Sequence, residues 1–348
     1  MKNIFIENSE IGHGQKCFLI AEIAQAHDGS LGIAHSYIDA VAEAGVDAIK
    51  FQTHIAEAES TLEDKFRTNF SYEDSNRYEY WKRMEFTKQQ WIGIKEHCDR
   101  LGIIFLSSAF SVEAVELLDG IGMPAWKVGS GEINNPLILE AMLKTSKPIL
   151  LSSGMSSWSE IDESISTLSE KKAEYAIFQC TSKYPTSLDE IGLNILREMK
   201  NKYEVPIGLS DHSGSTSSAY SAIANNADIL EFHVAFNKKI FGPDTESSLD
   251  FDQLRRVVKF RDDNFKIESN PVNKDEMAKE LSFMKELFNK SLVLKKPLKK
   301  GSIIKKEDLT AKKPGYGIPV GKIDECIGKR LINNQESGHI LSWDDIES

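Results

Sequence analysis

Short apolar runs alternate with segments of helical periodicity along the first three quarters of the chain. The runs have strand length and are apolar nearly throughout, which is typical of strands buried on both faces of a parallel sheet. There are eight of them: Phe18–Ala24, Ala48–Thr53, Ile103–Ala109, Ala125–Gly129, Pro148–Ser152, Tyr175–Thr181, Val205–Ser210 and Ile229–Phe236. Two intervening segments show an apolar stripe, at Ile33, Tyr37, Ile38, Val41 and Ala44 and at Trp91, Ile94, Lys95, Cys98 and Leu101. This alternation predicts an α/β protein with a (β/α)8 TIM barrel. A doubly wound sheet is the alternative, but it rarely needs eight uninterrupted repeats.

A long insertion follows the second apolar run. It extends from Ala56 to Met84, is polar, and carries several aromatic residues: Phe66, Phe70, Tyr72, Tyr78, Tyr80 and Trp81. Connections between a strand and the next helix are usually much shorter. The insertion is therefore either a lid or binding loop, or a surface excursion with a small core of its own.

The character of the chain changes after Phe265. Residues 274–290 are rich in Lys and Glu and predict a linker helix, and residues 291–348 carry short strand signals. A module of this size has little core of its own, so we expect it to pack against another surface. Its lysines predict mainly a solvated face, with a contribution to an anionic site as the second interpretation. The predicted domains are a barrel over residues 1–272, a linker helix over 273–290 and a mostly β module over 291–348.

Composition narrows the class of protein. A chain of 348 residues with 41% hydrophobic and 27% charged residues is typical of a soluble globular protein with one large and one small domain. Its net charge of −11 argues against a general nucleic-acid surface. No apolar run has membrane-spanning length, and the first residues lack the apolar core of a signal peptide. The four cysteines form no CxxC pair, which favours reduced thiols and a cytoplasmic location.

Two histidines follow neighbouring apolar runs. His212 lies in Ser-Asp-His-Ser-Gly after Val205–Leu209, and His233 lies in Glu-Phe-His within the next run. Because the carboxyl ends of barrel strands meet at one mouth, both imidazoles would point into one crevice and could hold a divalent metal. The alternative is that one histidine caps a loop and the other is a satisfied core residue.

Further polar residues fall at the predicted strand ends. Lys50 and Lys127 lie in otherwise apolar runs, where an unpaired charge would carry a large desolvation cost. They are accompanied by Glu22, Gln52, Ser107-Ser108, Gly129-Ser130-Gly131, Ser152-Ser153-Gly154 and Thr181-Ser182-Lys183-Tyr184. Lysines beside Ser/Gly turns fit a phosphate or carboxylate dianion. Each lysine could instead pair with a buried acid, but their combination with the histidine pair favours an anion-and-metal site.

Several motifs occur in one order along nearly the whole chain. They are AEIAQAHDG (21–29), AGVDAIKFQ (44–52), WKVGSGEINNPLI (126–138), ILLSSGM (149–155), GLSDHSG (208–214), GPD (242–244) and KKPGYGI (312–318). In this order they resemble the sialic acid synthases, the N-acetylneuraminate synthases and related nonulosonate synthases. The last motif lies in what resembles the family's C-terminal SAF module, a mostly β domain of the antifreeze-like, β-clip type. The resemblance implies an enzyme that condenses phosphoenolpyruvate with an N-acyl amino sugar and water, forming a C–C bond and releasing phosphate by C–O cleavage.

The resemblance also implies roles for individual residues. Glu22 would be the acid–base residue, acting with His212 and His233 in catalysis. The others would bind ligands: Mn²⁺ or Mg²⁺ at His212 and His233; phosphoenolpyruvate at Lys50, Gln52, Ser108, Lys127, Ser130, Ser152 and Ser210; and the sugar at Tyr184, Asp244 and Lys313. The family further implies a domain-swapped homodimer, in which Lys313 reaches the sugar site of the partner subunit, and a place in sialic acid or polysaccharide biosynthesis.

The sequence departs from the family pattern at a few positions. Phe232 stands where a basic residue is usual, Ser182 stands where asparagine is common, and Lys313 replaces an arginine, which removes a planar bidentate donor. GPDTESS at 242–248 and AQAHDG at 24–29 also differ from the commoner family patterns. These positions concern the sugar more than phosphoenolpyruvate, so the acceptor is less well defined than the reaction.

Three hypotheses remain open from the sequence. The first is a nonulosonate synthase acting on an acceptor such as N-acetylmannosamine. The second is another phosphoenolpyruvate-dependent barrel enzyme or an aldolase with a different acceptor. The third is a glycan-binding or coat-assembly protein that has lost turnover, against which the set Glu22, Lys50, Lys127, His212 and His233 argues.

Overall fold

The computed structural model of the protein describes residues 2–66 and 70–347, and these form two compact units that divide after Ser269. In the first unit eight parallel strands close into a barrel, which confirms the predicted fold. The strands of this unit are β1 (Ile4–Ile6), β2 (Ser9–Ile11), β3 (Phe18–Ala24), β4 (Ala48–Thr53), β5 (Ile104–Ala109), β6 (Trp126–Val128), β7 (Ile149–Ser152), β8 (Tyr175–Cys180), β9 (Ile207–Asp211) and β10 (Ile229–His233). Strands β3 to β10 form the barrel in chain order, and β10 pairs with β3 to close it.

Helices follow the strands as the alternation predicts. They are α1 (Leu31–Ala44), α2 (Ala56–Glu59), α3 (Arg77–Met84), α4 (Lys88–Leu101), α5 (Val112–Asp119), α6 (Pro136–Leu143), α7 (Trp158–Glu170), α8 (Leu193–Lys202), α9 (Thr216–Ala224) and α10 (Phe251–Glu268). The ends of α4 are set by local chemistry, since Thr87 and Gln90 form a capping box and Gly102 adopts the left-handed conformation after the last turn. The predicted stripes are wrong at Ile33 and Leu101, which are 42% and 45% exposed because they lie at the edges of their helix faces.

A short antiparallel hairpin formed by β1 and β2 precedes the barrel. Its side chains Ile4, Ile6 and Ile11 are buried in one cluster with inward-facing apolar residues of the barrel strands, such as Phe18 and Ile229. The hairpin therefore closes the amino-terminal end of the barrel. The hairpin leaves no signal in the sequence, because strands of three residues are too short to show a period.

The insertion after β4 has a small core of its own, as the second predicted alternative expected. We call its described residues, 56–66 and 70–84, the arm. The arm has a small apolar core of Ala56, Tyr80, Trp81 and Met84, against which Phe66, Phe70 and Tyr78 pack. It also contributes to the wall of the large cavity described below. The arm therefore lines the cavity and is held in shape by its own core.

The second unit begins with two short helices, α11 (Lys274–Glu280) and α12 (Ser282–Phe288), where the sequence predicts one linker helix. Strands β11 (Ser291–Leu294) and β12 (Leu309–Lys312) then pair antiparallel, and α13 (Ile323–Cys326) follows. A compact core includes Leu292, Leu294, Ile304, Leu331 and Leu341. The unit is therefore a small, mostly β module with isolated bridges in place of long strands. Among the described residues, no helix is both long and apolar enough to cross a membrane.

Candidate active site

The inward face of the barrel changes from apolar to polar toward the carboxyl ends of the strands. Residues that face inward alternate along each strand, so Ile20 is followed by Glu22 and Ala48 is followed by Lys50. The same change occurs on the other strands, and it brings together Ser108, Lys127, Ser152, Cys180, Ser210, Glu231 and His233. These residues line a cavity of about 600 Å³ at the mouth, where barrel active sites are built.

Two buried lysines and two buried glutamates form the floor of this cavity. The ammonium group of Lys50 contacts the Glu22 carboxylate and lies 3.7 Å from Glu231 Oε1. Lys127 Nζ donates to the same Glu231 oxygen at 2.9 Å. All four side chains are almost fully buried. Each lysine is therefore paired with an acid, as one of the sequence alternatives expected, and all four groups face the same cavity.

The two glutamates have opposite electrostatic environments. Burial raises the pKa of Glu22 to about 7, while Lys50 acts in the other direction. Burial also acts to raise the pKa of Glu231, but Lys127 and Lys50 together lower it to about 2. Glu231 is therefore a permanent counter-charge, whereas Glu22 can give and take a proton near neutral pH.

Hydroxyl groups surround the lysines at the strand ends. Ser108 Oγ accepts from Lys50 Nζ at 3.1 Å, and Ser210 Oγ donates to Glu231 Oε1 at 3.2 Å. Among the described residues, Ser152 Oγ and Glu231 Oε2 are buried and find no hydrogen-bond partner. Buried polar atoms without partners are uncommon in folded proteins and indicate a place where a ligand or water binds. Cations and free hydroxyls at this depth fit a dianion.

The two histidines lie side by side at the same mouth. The rings of His212 and His233 have centroids 5.4 Å apart, and both residues are buried. His212 Nδ1 lies 2.9 Å from the carbonyl oxygen of Thr181, which leaves Nε2 to face the hydroxyl of Tyr184 at 3.2 Å. Burial, together with His212 and Lys50, lowers the pKa of His233 well below its ordinary value. His233 is thus a neutral imidazole with a lone pair.

This donor set fits a divalent metal in part. Two imidazoles suit a transition-metal ion such as Mn²⁺ better than Mg²⁺, which prefers oxygen ligands, and either ion would need oxygens to complete its coordination. Within residues 2–66 and 70–347, no group of three or more His, Cys, Asp or Glu side chains is arranged to hold a metal. Burial acts to lower the pKa of His212, but the neighbouring Cys180 outweighs this effect, and the net pKa is raised. A proton therefore competes with a metal for His212. The remaining ligands would have to come from substrate or water.

The outer part of the cavity is more open and mixes acids with aromatic rings. Tyr184 stacks on His212 with ring centroids 4.1 Å apart, and Asp244 lies on the opposing loop after β10. The arm contributes Phe66, Phe70, Arg77, Tyr80 and Trp81 to the wall. Flat rings beside hydrogen-bonding groups are suited to a sugar, which presents both apolar and hydroxylated faces.

The structure brings nearly all predicted site residues to this one cavity. Those that line it are Glu22, Lys50, Gln52, Ser108, Lys127, Ser130, Ser152, Tyr184, Ser210, His212, His233 and Asp244. Lys313 lies in the second unit, exposed, with its ammonium group 5.0 Å from the centre of the Phe288 ring. The roles of these residues stay predictions.

Sequence reasoning missed Glu231, His54 and Cys180, which also line the cavity. A signal for Glu231 was present, because it lies two positions before His233 in the same strand and therefore faces the same way. His54 gave no such signal, since the rings that stack on it, Trp81 and Phe110, come from distant parts of the chain. Cys180 ends β8 and lies 3.6 Å from Ser130 Oγ.

Comparison with known proteins agrees with this geometry. The model of the NeuB family matches residues 37–270, and that of the SAF domain matches residues 289–347. An N,N'-diacetyllegionaminic acid synthase of Legionella pneumophila is 31% identical over 97% of this chain and 96% of its own length. The human N-acetylneuraminate-9-phosphate synthase is 30% identical over 92% of this chain and 90% of its own length. The crystal structure of an N-acetylneuraminic acid synthetase from Leptospira borgpetersenii, in complex with citrate, superposes with a TM-score of 0.71 at 30% identity, covering 82% of this chain and 97% of that one.

All four free cysteines of the present chain are buried.

Proposed function

The chain belongs to the NeuB family, and from that premise we propose that it is a nonulosonate synthase. The proposed reaction joins phosphoenolpyruvate to an N-acyl hexosamine such as N-acetylmannosamine, takes up water, and gives a nine-carbon 2-keto sugar acid and phosphate. The observation that carries this proposal is the floor of the cavity. Two buried lysines and unpartnered hydroxyls lie there beside a carboxyl group with a pKa of about 7.

Phosphoenolpyruvate fits the inner part of the cavity. Lys50 and Lys127 would offset the charge of its phosphate and carboxylate, and hydroxyls such as Ser152 Oγ would donate to its oxygens. Gln52, Ser108, Ser130 and Ser210 complete the proposed set, and all of them line the same cavity. Because Glu231 already holds both lysines in place, little reorganisation is needed when the substrate binds.

Glu22 is the proposed acid–base group. The enol carbon of phosphoenolpyruvate attacks the aldehyde carbon of the open-chain sugar, whose oxygen takes up a proton. Water then adds to the resulting oxocarbenium carbon, and the Glu22 carboxylate accepts the proton that this water loses. Cleavage of the C–O bond releases phosphate. A pKa near 7 lets the ionised Glu22 carboxylate accept this proton and release it again before the next turnover.

His212 and His233 would hold the divalent metal, Mn²⁺ or Mg²⁺. When bound, such an ion supplies Lewis-acid polarisation of a carbonyl oxygen. The carbonyl of Thr181 and the ring of Tyr184 position the His212 imidazole. Besides holding the imidazole, Tyr184 is proposed to contact the sugar, together with Asp244.

The acceptor sugar is proposed as a class of compounds. Relatives of this chain are named for legionaminic, pseudaminic and N-acetylneuraminate-9-phosphate products, so several N-acyl sugars are candidates. The product would enter sialic acid-type polysaccharide biosynthesis. Free, buried cysteines support a cytoplasmic location for this work.

A homodimer is the proposed assembly. The helices α11 and α12 expose an apolar face formed by Leu281, Phe283, Met284, Leu287 and Phe288. A surface of this kind is typical of an interface, and a second copy of the chain is the proposed occupant. In that assembly Lys313 would reach the sugar site of the partner subunit.

The test is a phosphate-release assay with phosphoenolpyruvate, Mn²⁺ and a panel of N-acyl hexosamines. We expect acceptor-dependent phosphate and a nine-carbon keto acid as product. Glu22→Gln serves as the inactive control, because it keeps the shape of the side chain but cannot accept a proton. Release of phosphate with a different class of aldehyde would favour another phosphoenolpyruvate-condensing enzyme. Tight glycan binding without turnover would favour a non-catalytic relative.

A further inference from the structure

A bulge interrupts the first barrel strand next to Glu22. Glu22 lies opposite Lys50 of β4, whereas Ala24 lies opposite Phe51, so Ile23 is an extra residue in β3. Ala24 has a φ of 46°, in the left-handed region that residues with a side chain rarely adopt. Bulges disrupt the hydrogen-bond ladder of a sheet and are common beside active sites. The N–H group of Ala24 is therefore available to an acceptor outside the ladder.

That acceptor is the carboxyl group of Glu22. Ala24 N donates to Glu22 Oε1 at 2.7 Å, and both residues are almost fully buried. Glu22 Oε2 contacts the ammonium group of Lys50 and has no other polar partner within residues 2–66 and 70–347. The two carboxyl oxygens are therefore held differently: Oε1 is bound by the backbone, and Oε2 is paired with a side chain that can move.

Contacts on both sides hold the bulge in place. The carbonyl oxygen of Glu22 accepts from the N–H group of Val234, which follows β10, and that of Ile23 accepts from the N–H group of Ala26 in the next turn. The Ile23 side chain is buried in the large apolar cluster that joins the strands to the helices. A backbone conformation as uncommon as that of Ala24 persists only where its surroundings impose it, and such places cluster at functional sites.

We propose that the backbone N–H group of Ala24 is a positioning donor, which anchors Glu22 Oε1 and thereby presents Oε2 to the water that adds to the substrate. The proposal rests on the proposed synthase function. Before substrate binds, Lys50 covers Oε2. The phosphoenolpyruvate anion carries more charge than one carboxylate, so it attracts the ammonium group of Lys50 away from Oε2. Oε2 is then free to accept the proton, while Oε1 stays in place.

Replacing Ala24 by L-lactic acid tests the proposal. The resulting backbone ester keeps the methyl side chain but has an oxygen atom in place of the N–H group. We expect kcat to fall at least about tenfold, since a hydrogen bond to a charged group is lost and the carboxylate can turn. KM for phosphoenolpyruvate and for the acceptor should stay within about twofold of wild type, because the anchored carboxylate acts on water in the transition state.

Two further variants separate the N–H group from the shape of the turn. Ala24→Gly is the conservative variant: it keeps the N–H group and adopts the left-handed conformation easily, so it should retain at least about half of the wild-type kcat. The ester at Ala24 also weakens the Ile23 carbonyl as an acceptor for the N–H group of Ala26. Replacing Ala26 by L-lactic acid removes that same hydrogen bond and leaves the donor to Glu22 intact. This ester should leave kcat within about twofold of wild type.

Nuclear magnetic resonance tests the hydrogen bond without turnover and without an ester. In protein labelled with ¹⁵N-alanine, the resonance that disappears in Ala24→Gly belongs to Ala24. At mildly alkaline pH its amide proton should resonate downfield. It should move upfield in Glu22→Gln, because a carboxamide oxygen is a weaker acceptor than a carboxylate.

Four results would overturn the proposal: an unchanged kcat in the Ala24 ester, a change confined to the KM values, an equal loss of kcat in the Ala26 ester, or an Ala24 amide resonance that does not respond to Glu22→Gln. A lower melting temperature of the Ala24 ester with unchanged kinetic constants would assign the N–H group a structural role only. If the Ala24 ester does not fold, the amide resonance decides. The proposed synthase function fails separately, through absence of turnover in the wild-type protein.

Discussion

Lys127 Nζ lies 2.9 Å from Glu231 Oε1, and both side chains are about 95% buried. A pair of this kind is costly to bury and gains little stability overall. Here it also presents the lysine to a cavity that contains unpartnered hydroxyls. We therefore interpret the pair as part of a preorganised anion-binding site and not as a contact that stabilises the fold.

The two glutamates of the cavity floor should titrate far apart. In protein labelled with ¹³C at glutamate carboxyls, we expect the Glu22 resonance to titrate near pH 7, because burial raises its pKa. Glu231 should stay ionised down to about pH 2, because Lys127 and Lys50 outweigh the effect of burial. Glu22 must be ionised to accept a proton, so activity should fall as the pH drops through about 7.

Glu22→Gln assigns the resonance by its disappearance. Lys50→Met tests the direction of the shift. Lys50 lowers the pKa of Glu22, so its removal should raise the pH at which Glu22 titrates. An ordinary glutamate titration for Glu22 would contradict the acid–base assignment.

Metal binding should depend on both imidazoles. Chelation should abolish turnover, and His212→Ala or His233→Ala should weaken Mn²⁺ binding at least about 100-fold, since even an indirect contact to a ligand costs 10–100-fold. Calorimetry with Mn²⁺ alone measures this without turnover. His97→Ala, on the outer surface, is the control. Full activity of either alanine variant after exhaustive chelation would exclude the assignment.

The proposed attack of water on carbon predicts which bond breaks. Phosphoenolpyruvate labelled with ¹⁸O in the bridging position should release phosphate that carries the label, because C–O cleavage leaves the bridging oxygen on phosphorus. Mass spectrometry of the phosphate measures this directly. Unlabelled phosphate would indicate P–O cleavage and therefore a different type of enzyme.

The charge of the outer cavity predicts the charge of the acceptor. Glu59, Asp64, Glu132 and Asp244 line this part, and within residues 2–66 and 70–347 Arg77 is its sole basic side chain, itself paired with Asp64. Even with the lysine that the proposed dimer would add, the acids outnumber the cations, so a phosphate group at the far end of the sugar would be repelled. We expect kcat/KM to be at least about tenfold higher for an uncharged N-acyl hexosamine than for its 6-phosphate, with a smaller difference at high salt.

Charge variants test the cause of this selectivity. Asp64→Asn combined with Glu132→Gln should improve the phosphorylated acceptor several-fold. Glu113→Gln combined with Glu140→Gln changes the net charge equally, but on exposed helix positions away from the cavity. A preference of the wild-type protein for the phosphorylated sugar would show this interpretation of the acids to be wrong while leaving the reaction class intact.

The barrel could be predicted because its strands are apolar on both faces, which leaves a signal that needs no knowledge of distant contacts. The inward polar residues could be found for the same reason, since Lys50 and Lys127 interrupt that signal. Glu231 was missed although its spacing from His233 gave the information.

Other features had no local signal. The hairpin of β1 and β2 is defined by what it packs against, the inward face of the barrel. His54 acquires its environment from Glu59, Trp81 and Phe110, which a linear pattern does not connect. Features that depend on long-range contacts are therefore the part that only the three-dimensional structure supplies.

The proposed dimer makes a prediction about complementation between two inactive chains. The first carries Glu22→Ala in the barrel, and the second is truncated after Lys290 and lacks the SAF module. Neither homodimer should turn over. If the module serves the partner subunit, a mixed dimer has one site with an intact barrel of the truncated chain and a module donated by the Glu22→Ala chain.

Mixing the two chains under conditions of subunit exchange should therefore restore activity, up to half of the wild-type value per dimer. The same mixture with Lys313→Ala added to the Glu22→Ala chain isolates the contribution of that lysine, since it alters only the donated module. In the proposed dimer, exposed residues such as Phe283 and Leu287 would provide the interface that exchange requires. If mixed dimers form by native mass spectrometry yet stay inactive, while intact monomers are active, the module serves its own barrel and the swapped arrangement is wrong.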